Sequence, residues 1–369
     1  MEHQTLNIFS HPEFEIQAKG FQNSYELYDI VATDDSRYSK RNQRTTATSI
    51  CRFCGLGYPD TKFSNLSHLL SKMIGNTNLY SGFECDKCNA KFSNYESDLA
   101  DFLGIGRSIT GLSCPKGTVG YVGRKIGAKS RSFVGNNILI LAPEDVKREG
   151  TKTTISYVKN AYTLAKVYNA LLKCALSLLS DKEVKNYYRH AIDYLSGKGI
   201  ITSGAVIMGY QLSFQTNFPL HVYAFRKKFK KDAIPTHMMC FYFQNHIIAF
   251  PLPFHEEDNF YSTELDILLP PPYFVSEKDM APAMPVSFLR DMTSIAKVDS
   301  EEESIIIQID PEDLKDSIYY DPYTDTYERA EYNPASPKYL IFTKPDLTID
   351  PRELSAFMAA FTKKQMEGK

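Results

Sequence analysis

Four of the seven cysteines in this 369-residue chain stand in two tight pairs, Cys51-x-x-Cys54 and Cys85-x-x-Cys88. Each pair can form a knuckle, and two knuckles can close a tetrahedral thiolate site around zinc. The connection from Gly55 to Glu84 is longer than a zinc ribbon usually needs, so it is expected to carry structure of its own. An odd cysteine count, with four at metal-ligand spacing, points to a reducing compartment rather than a disulfide framework. Cys114, Cys174 and Cys240 stand alone and read as small buried apolar residues.

His68 and Gly75-Asn76 lie within that connection, and Asn89 directly follows Cys88. The order CRFCG, SHLLSKMIGN, ECDKCNAKFSNYESDLADFL resembles the HNH endonucleases of the ββα-metal class, in the version clamped by two CxxC knuckles. The resemblance covers Cys51 to Arg107 tightly and extends loosely through AYTLAKVYNALLKCALSLL to about residue 200. It implies a zinc-stapled module that hydrolyses phosphodiester bonds, with DNA the favoured substrate and 5′-phosphate and 3′-hydroxyl ends as products. Nucleases of this kind often occur in bacterial defence systems. Such chemistry needs a base able to deprotonate water near neutral pH, which suits histidine, and a divalent cation to neutralise the scissile phosphate. The resemblance makes His68 the base, Asn76 the residue that orients the loop or the imidazole, and Asn89 a ligand of the catalytic magnesium or manganese. Glu96 lies seven residues beyond Asn89 on the same helix face and could supply a second oxygen ligand. Ser67 and Lys72 stand where the family often has acidic residues. They favour the alternative, a non-cutting zinc-ribbon protein that binds nucleic acid or another protein.

The chain carries 42 Lys+Arg against 44 Asp+Glu, a net charge of −2, which excludes a global basic field for holding a polyanion. A nucleic-acid surface must then be a local patch, and Arg124, Lys125, Lys129 and Arg131, set among glycines, are the expected phosphate contacts. The run Phe225 to Lys231 is also basic but reads better as a charged strand end or loop. Glu301-Glu302-Glu303 reads as a solvated loop. Gly104-x-Gly106 lacks the strand-before, helix-after setting of a nucleotide loop. His221, His237, His246 and His255, among apolar neighbours, read as hydrogen-bonded structural histidines. Neither a basic-then-apolar leader nor an uninterrupted apolar run of membrane length stands out, so a cytoplasmic protein with no membrane contact is expected.

The elements that must position these residues follow from periodicity. Residues 1–50 read as a strand-bearing arm, with alternation at Leu6-Asn7-Ile8-Phe9 and Phe14-Glu15-Ile16, and a solvated polar linker from Asp34 to Ser49. Residues 51–107 form the zinc-clamped module and 108–150 a basic, Gly-rich connector. Residues 151–369 form an α+β domain for recognition, for assembly as a homo-oligomer, or for docking a regulatory protein. Apolar residues from Ala161 to Leu179 recur at three- and four-residue steps, predicting an amphipathic helix. A second helix restarts at Asp181, runs through Leu195 and stops at Gly197 and Gly199. Strands are predicted around Ala205-Met208, His221-Phe225, Met238-Phe243, His246-Phe250 and Ser304-Ile309, and a last helix over Arg352 to Lys363. The fold class expected is α+β: a small ββα-metal module beside a larger mixed domain with an antiparallel sheet.

Overall fold

The computed structural model describes residues 9–10, 12–43, 45–46, 48–110, 112–114, 117–118, 121–122, 127–133, 136–141, 146–149, 152–199, 204–212, 218–258, 267–274, 286–308, 318–321, 326–329 and 340–342. The chain divides into two compact units, each assembled from two stretches: residues 1–102 with 162–298, and residues 103–161 with 299–369. Among the described residues the α-helices are α1 (Glu15–Ser24), α2 (Asp86–Leu103), α3 (Gly106–Ile109), α4 (Leu164–Leu178), α5 (Asp181–Tyr187) and α6 (Arg189–Leu195). With its sheets paired antiparallel, the protein is a mixed α+β structure. Among the described residues no helix is long and apolar enough to cross a membrane. The helix expected over Arg352 to Lys363 lies outside the described residues.

The first unit is built on a six-stranded sheet, in the order Val286–Asp291, Val206–Gln211, His246–Pro251, His237–Gln244, Phe218–Lys227, Tyr25–Ala32. Strands His237–Gln244 and His246–Pro251 are buried at every position, which is why they read as apolar runs, Met238 to Phe243 and Ile247 to Pro251, rather than as alternation. One face packs under α1 through Phe21, Tyr25, Tyr210, Tyr223 and Tyr242. On the other, Tyr168 of α4 meets Phe250 edge-on at 5.8 Å and its hydroxyl donates to the Pro251 carbonyl. Gly209 sits opposite Phe288 in the register, and a Cβ there would lie 1.9 Å from the ring, so the close approach requires glycine.

Several expectations are corrected. Phe14-Glu15-Ile16 is the start of α1 rather than a strand; the alternation there is too short to outweigh the buried Ala18 and Phe21 that hold a helix against the sheet. The polar segment after Ala32 mixes exposed and half-buried residues, and the Arg37 guanidinium in it forks onto Asp29 and Asp35. Helix α4 is not amphipathic in place: from Val167 to Leu178 it is buried all round, Lys173 included. The helix expected to run from Asp181 through Leu195 breaks at Tyr188 (φ −120, ψ 28) into α5 and α6. The Ser180 hydroxyl caps α5 by accepting from the Glu183 N–H at 3.1 Å, and Gly197, at φ 82, follows α6 in the left-handed region.

In the second unit, strand Lys152–Val158 lies between Val146–Glu149 and Glu302–Gln308, and Gly127–Phe133 pairs with Asn136–Leu141. Glu301-Glu302-Glu303 is therefore no solvated loop: Glu302 opens a strand, while Glu301 and Glu303 pair with Lys159 at 3.3 and 3.1 Å. Gly104, at φ +61, lets the Tyr157 hydroxyl come close enough to accept from the Ile105 N–H. Arg124 and Lys125 lie outside the described residues. Lys129 and Arg131 stand on strand Gly127–Phe133, opposite Ile140 and Ile138.

Candidate metal centre

The first knuckle is shaped by backbone alone. Gly55, at φ 72, turns the chain so that its N–H donates to the Cys51 carbonyl at 2.9 Å, and the Cys51 N–H donates to Leu56. The second knuckle is the first turn of α2, where the Asn89 N–H donates to the Cys85 carbonyl. The four sulfurs gather within 4.8 Å of one another, with Cys54 and Cys85 3.7 Å apart. A tetrahedral zinc with Zn–S of 2.3 Å holds its sulfurs about 3.75 Å apart. The donor set and its spacing fit such an ion.

Electrostatics at the cluster point the same way. A hydrogen bond from Cys88, with backbone N–H groups of Cys85, Cys54 and Phe53, brings the Cys51 thiol down to about 5 against its burial. Burial first, then the neighbouring thiolate, pushes Cys54 up to about 11, and the hydrogen bond with Cys51 raises Cys88. One thiolate thus suppresses its neighbours, and a cation at the centre would allow all four to ionise.

The knuckles are built into the first unit. The Arg52 Nη1 donates to the carbonyls of Leu176, Ser177 and Leu179 at 3.0, 3.2 and 3.0 Å, capping the C-terminal end of α4. The same guanidinium pairs with Asp181 at 2.7 Å and lies 3.7 Å over the Phe83 ring. Lys91 of α2 donates to the Leu195 carbonyl at the end of α6, and the Ser196 hydroxyl donates to the Phe53 carbonyl. Cations at helix C-termini are favourable because they meet unpaired carbonyls and the negative end of the dipole.

Between the knuckles, strand Ser67–His68 pairs with Tyr80–Ser81, and α2 follows, so the segment has the order strand, strand, helix. Asn76 is buried inside the hairpin loop. Its Nδ2 donates to the Leu70 and Leu79 carbonyls at 2.7 and 2.8 Å, and its Oδ1 accepts from the N–H groups of Asn78 and Leu79. Both amide protons point at those carbonyls, so the 3.4 Å approach of Nδ2 to His68 Nδ1 is a weaker contact that positions the ring. The Tyr80 ring flanks the imidazole at 4.7 Å.

Burial, with Lys72 and Lys173 adding, pushes His68 down to about 4. Its imidazole is therefore neutral at physiological pH. An unfolded chain takes up this proton near pH 6.5. Between about 6.5 and 4 the unfolded chain binds more protons at this residue, and the stability that His68 contributes falls as the pH drops through that window. Thermal midpoints measured from pH 7 to 4 should fall less steeply for His68→Ala than for the unmodified protein. Equal slopes would mean that His68 is not held neutral.

Sequence reasoning missed a buried ion pair beneath this site. Lys173 of α4 and Glu84, the residue before Cys85, lie 2.9 Å apart with side chains 2% and 0% exposed. Lys173 Nζ also donates to the His68 carbonyl at 2.7 Å, tying the histidine strand to α4. The only sequence signal is a lysine amid an apolar helix. Half-buried Glu96 of α2 belongs to the same cluster: burial raises its pKa, opposed by Lys173, a hydrogen bond from Ser71, and Lys72. Asn89 is half-buried on the first turns of α2, and its carbonyl accepts from Ser93. The structure thus brings together the four cysteines, and separately His68 with Asn76, while Glu96 faces Lys173 and Ser71.

The basic run after Phe225 is engaged internally: Arg226 lies 3.7 Å from Glu183, Lys227 pairs with buried Asp258 at 2.8 Å, and Lys230 pairs with Glu257. Family models, characterised proteins and solved structures were compared with the chain, and none matches it.

Proposed function

We propose that the protein is a metal-dependent endonuclease of the HNH type, acting on nucleic acid with DNA favoured, in which the four cysteines hold one structural zinc. The observation that carries this reading is the strand, strand, helix segment with His68 on its first strand, its ring beside Asn76, and the cysteine cluster clamping both ends. His68 takes a proton from the attacking water, and Asn76 fixes the loop that aims the ring. Asn89 and Glu96 would hold magnesium or manganese, which when bound supplies charge neutralisation at the scissile phosphate. A neutral amide and a carboxylate already engaged with Ser71 and Lys173 suit a weakly held ion. Arg124, Lys125, Lys129 and Arg131 would contact phosphates of the nucleic acid. A regulatory protein or a second copy of the chain is the proposed further partner, and the reduced thiols suit the cytoplasm.

The test is cleavage by zinc-loaded protein with magnesium or manganese, before and after His68→Ala. Loss of a general base should lower the rate on the order of 100- to 10,000-fold with zinc content unchanged. Full activity in His68→Ala would reject the mechanism. One observation favours the non-cutting alternative: Ser67, standing where the family often has an acidic ligand, is buried with its hydroxyl unpaired.

A further inference from the structure

A second cluster of ligating side chains lies away from the cysteines, within the first unit. Glu183 stands on α5, His237 opens the central strand His237–Gln244, and His255 follows strand His246–Pro251. The two histidines are 0% and 1% exposed and Glu183 is 8% exposed. Glu183 Oε1 and the Nε2 atoms of both histidines are buried without a hydrogen bond, yet they converge. Oε1 is 3.9 Å from His237 Nε2 and 3.5 Å from His255 Nε2, and all three atoms lie within 4.8 Å of one another. Native interiors rarely leave such atoms unpaired, and three aimed at one point form an arrangement that a bound cation would complete.

We propose that Glu183, His237 and His255 form a second metal site, for a divalent transition ion of the zinc class. A tetrahedral zinc bound at 2.0–2.1 Å holds nitrogen and oxygen ligands about 3.4 Å apart. The observed separations reach that value with small inward shifts. Two imidazoles and one carboxylate suit zinc, iron(II) or cobalt(II) rather than calcium or magnesium.

The surroundings supply the outer contacts such ligands need. His237 Nδ1 lies 2.7 Å from the buried Tyr188 hydroxyl, which fixes the ring and leaves Nε2 for the ion. Tyr187 stacks on His255 at 4.8 Å, and Tyr28 meets His237 edge-on at 5.2 Å. His255 Nδ1 accepts from the Glu257 N–H at 3.2 Å, so in the metal-free ring the proton sits on Nε2, facing Glu183. Metal binding moves that proton to Nδ1 and gives up this long contact. Of the charged groups nearby, Arg226 lies 3.7 Å from Glu183, while Lys227 is neutralised by Asp258. Three protein ligands leave a fourth position, which in a site closed off from solvent would be taken by an enclosed water, and the ion would staple α5 to the sheet. The inference does not depend on the nuclease reading.

The experiment is metal stoichiometry of the whole chain after saturation with zinc and desalting, followed by titration of the metal-free protein with cobalt(II). Two ions per chain are expected. One cobalt equivalent should show sulfur-to-metal charge transfer, and the other weaker visible bands without it. Glu183→Gln with His255→Gln should lose the second equivalent and keep the first. A single equivalent in the unmodified protein, or two in the folded double variant, overturns the proposal. If the double variant does not fold, zinc absorption spectroscopy on the unmodified protein decides. A nitrogen and oxygen shell on half the zinc supports the site, and an all-sulfur shell rejects it.

Discussion

Cys85→Ser is expected to strip the metal from the four-cysteine cluster and to unfold the hairpin that carries His68. Cys85 is fully buried, its N–H donates to the Cys51 sulfur, and its carbonyl accepts from Asn89 in the first turn of α2, so its loss removes a ligand at the point where the two knuckles meet. Structural zinc sites have apparent binding energies of about 10–16 kcal/mol, comparable to the whole stability of a domain at about 5–15 kcal/mol. Because Arg52 and Phe53 between the first two cysteines anchor the ends of α4 and α6, melting should spread into the helices rather than stop at the loop. Zinc content, circular dichroism melting and limited proteolysis between residues 51 and 103 check this together. A variant that binds no zinc yet melts like the unmodified protein would contradict it.

Lys173→Met is expected to cost about 3–5 kcal/mol, because it leaves the Glu84 carboxylate buried without its cation and frees the His68 carbonyl. Burial already raises the Glu84 pKa against the pull of Lys173, so removing the lysine drives the carboxyl further toward its protonated form. Glu84→Gln alone should also destabilise. The double variant should cost clearly less than the sum of the two, since the pair is removed together. Denaturant unfolding of the two single variants and the double variant measures this coupling. Additive losses, or single losses below about 1 kcal/mol, would show that the pair is not the tie between α4 and the histidine strand.

What the sequence revealed and what it hid divide along physical lines. The CxxC pairs were legible because ligand spacing is local, and the sheet strands because β-branched and aromatic runs extend over whole elements. Helix α4 was legible as a helix, but its burial on all sides was not, since the partner that lets Lys173 be buried, Glu84, comes from a distant stretch. The start of α1 was misread because three alternating residues weigh less than the packing of Phe21. Glu301 and Glu303 looked solvated because Lys159 lies far off in sequence. Glu183, His237 and His255 form no motif at all; only the meeting of α5 with the sheet places them together.

The central claim is that the hairpin between the knuckles hydrolyses phosphodiester bonds. The direct measurement is incubation of zinc-loaded, unmodified protein with supercoiled plasmid and with single-stranded DNA and RNA, in magnesium and in manganese, followed by analysis of the new ends. The account predicts metal-dependent nicking that leaves 5′-phosphate and 3′-hydroxyl termini, with manganese at least as effective as magnesium because amide and nitrogen ligands suit it. Full zinc occupancy without cleavage of any of these substrates in either metal would contradict it and leave the non-cutting binding protein as the reading.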